Sequence, residues 1–114
     1  MSRATQIGWY NLKEDKTVRC YAEYANYDRD VLVKAGSYPV VVYDIRFDKD
    51  GAIRSYGFVH MGEAHPSVYM HEIAQSIVDG GDHYELFPEY EARRVDFEYN
   101  GEPCTTHCVF KRGA

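Results

Sequence analysis

The sequence predicts an α+β domain: a mainly antiparallel sheet of about six to seven strands with one amphipathic helix packed on one face. Three observations carry that prediction. Apolar residues alternate with a period of two through most of the chain. Asp50-Gly51 and Asn100-Gly101 stand between alternating runs, where two-residue hairpin turns form. A helical period occurs in one segment alone, 66–78. With 114 residues, 45% of them hydrophobic and 27% charged, the chain can bury a core as one globular domain over 1–114.

The first predicted hairpin covers 7–25. In TVRCYAEY, Val18, Cys20, Ala22 and Tyr24 share one face, and Arg19, Tyr21 and Glu23 the other. IGWYNLK precedes this run across the polar turn Glu14-Asp15-Lys16. VLVKA, at 31–35, reads as a short strand ended by Gly36. The second hairpin, 39–61, turns at Asp50-Gly51 and pairs Val41 with His60, Tyr43 with Phe58, Ile45 with Tyr56 and Phe47 with Arg54. A loop two residues longer keeps the same faces.

Pro66 suits the first turn of the helix, and Asp79-Gly80-Gly81 stops it. Its apolar stripe is Tyr69, Met70, Ile73, Ala74, Ile77 and Val78. The third hairpin, 91–111, turns at Asn100-Gly101. Val95, Phe97, Tyr99, Cys104, Cys108 and Phe110 fall on one face, with Arg94, Asp96, Glu98, Thr105 and His107 on the other.

Composition narrows the function. A net charge of −5 argues against nucleic acid, whose backbone calls for a basic stripe. No stretch approaches the ~20 apolar residues of a membrane span. The opening MSRATQIGWY lacks the apolar core of a signal peptide, and three cysteines, Cys20, Cys104 and Cys108, are an odd number. The expectation is a cytoplasmic chain with reduced thiols and no membrane partner.

Four of the five histidines lie between 60 and 83, so metal and catalytic readings need testing. Cys104-Thr-Thr-His107-Cys108 fails as a metal knuckle: in a strand the two thiols stand about 13 Å apart and His107 points away from them. His71-Glu72-Ile-Ala-Gln75 has glutamine where a zinc-protease helix needs its second histidine. Asp48 to Ile53 resembles part of a calcium loop, but Arg46 and Gly57 occupy its terminal ligand positions. One alternative survives. Glu63, His65 and His71 could do acid–base chemistry, or His60, His65 and His71 could hold a metal. Otherwise His60 faces the core, and no cofactor is expected.

The eleven tyrosines are the stronger lead. Tyr24, Tyr43, Tyr56 and Tyr99 lie on apolar faces that a core would absorb. That leaves Tyr21, Tyr27 and Arg29 as one strip, and Tyr84, Phe87, Tyr90, Arg93 and Arg94 as another. Tyr and Arg together are the residues enriched at binding hot spots. The sequence thus reads as a small non-enzymatic binding protein, of an inhibitor, immunity or phage-accessory type. Through these residues it would engage a partner protein or sequester a small polar, nucleotide-like ligand, as a homodimer.

Overall fold

In a computed structural model, the protein is described over residues 3–22, 27–62 and 65–113, including their side chains except those of 20–22, 27 and 28. Most of the backbone is antiparallel sheet, with one short helix packed on strands. β1 (Ala4–Leu12) lies next to one edge of a five-stranded sheet. On one side it pairs with β4 (Gly36–Tyr43), which pairs with β5 (Gly57–Val59) and that with β6 (Ser67–Val68). On the other it pairs with β7 (Tyr84–Leu86). Two further hairpins join β2 (Lys16–Ala22) to β3 (Tyr27–Val33) and β8 (Tyr90–Tyr99) to β9 (Glu102–Lys111).

The expected hairpin 7–25 does not form. β1 takes β4 as its neighbour, and β2 takes β3. The first ladder ends at Leu12 opposite Gly36, and the second begins at Lys16 opposite Val33. Between them the Asp15 carboxylate accepts the Ala35 N–H at 2.9 Å and the Lys34 ammonium at 3.3 Å. Glu14-Asp15-Lys16 is therefore a join, at which one pair of chain segments runs on from ladder to ladder. The strand expected at 31–35 is the end of a longer one.

In the second hairpin, Val41 stands opposite Phe58, two residues from the expected register, which preserves the faces. Their burial is inverted. Val40, Val42 and Val59 are fully buried, whereas Tyr43 is exposed and Phe58 and His60 half-buried. Gly57 lies on the buried face against the helix: a β-carbon there would lie 2.7 Å from Met70 Cε, so the tip of that side chain would have to move. Pairing lapses over 44–56, and the turn widens to a bridge between Phe47 and Ile53.

The helix α1 (Met70–Val78) begins later than 66, because Ser67 and Val68 pair with β5 and the Pro66 carbonyl accepts the Val59 N–H. It buries Met70, Ile73 and Ala74 against the sheet and the β8–β9 hairpin, and leaves Tyr69 and Val78 exposed. Gly80, at φ 85°, ends it: its N–H bonds the Ile77 carbonyl, and that of Gly81 the Ser76 carbonyl. The third hairpin is as predicted, with left-handed Asn100 and Gly101 and the expected faces. Ile7, Val40, Val59, Ile73, Tyr90 and Val109 meet in the core. No helix among the described residues is long and apolar enough to cross a membrane.

Candidate functional site

The loop between β4 and β5 is built on one carboxylate. Asp48 Oδ1 accepts the N–H groups of Asp50 and Ala52 at 2.8 and 2.9 Å, and its Oδ2 accepts Arg54 Nε at 3.1 Å. The Ala52 hydrogen bond above all holds this carboxyl below its ordinary range. Asp48 is thus spent on the turn, and Arg54 is fixed pointing outward beside it.

From Arg54 three hollows open in a row. The largest, about 910 Å³, lies between this loop and the β8–β9 face bearing Arg93, Val95, Phe97 and Cys108. Arg93 lies over the Phe110 ring at 3.8 Å while its Nε contacts Glu91 at 3.2 Å. Next, about 390 Å³ is bounded by Arg54, Tyr56, Tyr69, His71 and Cys108. Tyr56 and Tyr69 meet edge to face at 5.2 Å, and Tyr69 stacks on His71 at 5.4 Å. The third, about 240 Å³, is bounded by Tyr43, Arg46, Arg54, Tyr56 and Phe58. Arg54 lines all three, Thr106 and Cys108 are shared by the first two, and Ser55 and Tyr56 by the last two, so we call this row of adjoining hollows a trough.

The trough is rimmed by rings in water: Tyr56 is 56% exposed, Tyr69 51% and Phe97 45%. None of these was foreseen as surface, and Tyr43 and Tyr99, also expected in the core, are exposed as well. Tyr43 and Tyr56 stand on faces that alternation alone makes look like core.

The histidines divide. His60 and His65 rings meet at 4.3 Å, and His60 Nε2 lies 3.1 Å from the Tyr43 hydroxyl. Burial first, then the neighbouring His65, lowers the His60 pKa below 6.5. His60 is half-buried on the outer face and not in the core. His71 belongs to the tyrosine stack instead. Glu63 lies outside the described residues. Among those described, no three His, Cys, Asp or Glu side chains gather to hold a metal ion.

Of the other expected residues, Arg93 and Arg94 both line the largest hollow; Arg94, on the other side of β8, bonds Asp96 and Thr105 at its rim. Tyr90 is 9% exposed and belongs to the core. Tyr84 and Phe87 pack against that core, Tyr84 on Tyr10 at 5.2 Å and Phe87 on Trp9 at 6.5 Å. Of the strip expected around Tyr84, only Tyr90 is thus buried; Tyr84 and Phe87 are half-buried, and Arg93 and Arg94 are exposed. Arg29 stands on β3 opposite Cys20, and the side chains of Tyr21 and Tyr27 lie outside the described ones.

Compared with models of protein families, with curated proteins and with solved structures, the chain matches none.

Proposed function

We propose that this is a non-enzymatic binding protein that engages a partner protein through the trough centred on Arg54. One observation carries the reading: Tyr43, Tyr56, Tyr69 and Phe97 are exposed around a row of adjoining hollows that also presents Arg54 and Arg93. Exposed rings gain little in water and much when a partner covers them, and Tyr with Arg is the hot-spot combination. A protein fits better than a small molecule. Small-ligand sites enclose most of their guest, whereas Lys49, Asp50, Arg54, Arg93 and Phe97 here are all exposed. The chain would act by occupancy, as an inhibitor or accessory protein does, in a cytosol-like compartment where Cys104 and Cys108 persist as thiols.

Site-directed photo-crosslinking tests this. A benzophenone amino acid replaces Tyr56 in the trough or, as control, Lys13, which lines a separate hollow. We expect one partner protein, identified by mass spectrometry, to be trapped from position 56 and not from 13. Equal trapping from both sites contradicts the reading. Extra mass on the purified chain, lost when Arg54 is replaced by alanine, would put a small ligand in the partner's stead.

A further inference from the structure

We infer that two copies of the chain join edge to edge along β8, about a two-fold axis through Val95. This goes beyond the trough's proposed partner, because such a dimer forms whether or not the trough is occupied.

Among the described residues, no strand pairs with the outer edge of β8. On β9, the Val109 carbonyl accepts the Ile53 N–H and the Lys111 N–H reaches the Gly51 carbonyl, both at 2.9 Å. Those two residues therefore turn their backbone groups away from β8. Their ladder partners, Ala92 and Tyr90, must do the same on the other side. With a period of two, Arg94, Asp96 and Glu98 follow. Among the described residues no backbone hydrogen bond outside the β8–β9 ladder reaches Ala92, Arg94, Asp96 or Glu98.

Charges on an open edge ordinarily guard it against pairing. Here the pattern is complementary to itself in one register. Two β8 strands related by a two-fold axis must set outward-turned residues opposite each other. An axis through Arg93 or Arg94 opposes an arginine to its own copy, one through Asp96 opposes that aspartate to itself, and one through Phe97 sets Asp96 against Glu98. An axis through Val95 places Arg94 of each copy opposite Asp96 of the other, Arg93 opposite Phe97, and Val95 opposite Val95. Arg94 and Asp96 already touch within one chain at 3.1 Å, so the four charges alternate in sign. On the trough face, Phe97 of the second copy comes beside Arg93, adding a ring to the surface each copy presents.

Charge reversal with complementation tests the register, read by sedimentation equilibrium at about 100 µM chain, where a weak contact is populated. The wild type is expected to be dimeric. Arg94→Asp and Asp96→Arg should each weaken the dimer about tenfold or more, since the axis counts every pair twice. Mixed together they should form a heterodimer, because each supplies the sign the other has lost. With the native cysteines changed to serine, Val95→Cys should cross-link under mild oxidation, its Cα atoms facing at about 4.5 Å. A wild-type monomer overturns the pairing, as does a dimer that survives both reversals or a Val95→Cys chain that does not cross-link.

Discussion

Tyr84 and Tyr56 carry the same side chain into opposite settings. Tyr84 packs on Tyr10, and burial first, then negative charge at Tyr10 and Glu72, pushes its hydroxyl pKa up to about 12. The unfolded chain gives up that proton near 10, so the folded state binds it more tightly. Stability attributable to Tyr84 is thus complete below pH 10 and falls as the pH rises towards 12. Urea unfolding followed between pH 8 and pH 12 should show that loss, and Tyr84→Phe should reduce it. Tyr56 reaches solvent beside Arg54, in the trough proposed for recognition. Alternation in the sequence tells which rings share a face, but both faces of 39–61 carry apolar residues. The face that is buried is the one on which Val40, Val42, Gly57 and Val59 meet the helix, with Met70 packed close over Gly57. Nothing local in the sequence marks it.

At the level of elements, turns with their own chemistry were legible and long-range partners were not. Asn100-Gly101 fixes the β8–β9 hairpin because both residues take positive φ, which asparagine and glycine tolerate. The choice of β4 over β2 as the neighbour of β1 depends on contacts some thirty residues apart. Pro66 looked like a helix start because proline suits a first turn. A short strand beside β5 claims the residues after it. Gly8 is another long-range requirement: a β-carbon there would lie 2.0 Å from the Glu85 backbone oxygen, where β7 crosses β1. Neither backbone can yield cheaply. Gly8→Ala should destabilise the fold by about 2–3 kcal/mol in chemical denaturation, while the β8–β9 hairpin keeps its pairing in amide exchange.

On the scale of the whole molecule, the core draws on the central sheet, the helix and the last hairpin, while the 44–56 loop and one hairpin face are left to shape a trough. The candidate surface was half legible. Tyr and Arg enrichment raised the expectation of a recognition face, and Arg93 and Arg94 line the trough proposed for it. Which tyrosines stay outside depended on how the sheets stack, and that is a property of the assembled fold. We propose above all that this trough binds the partner. The most direct measurement is calorimetric titration of the purified cross-linked partner into wild type, Arg54→Ala/Tyr56→Ala and Lys13→Ala. The account predicts an affinity loss of at least about thirtyfold for the double variant and wild-type affinity for Lys13→Ala. A folded double variant that binds as tightly as the wild type would contradict it.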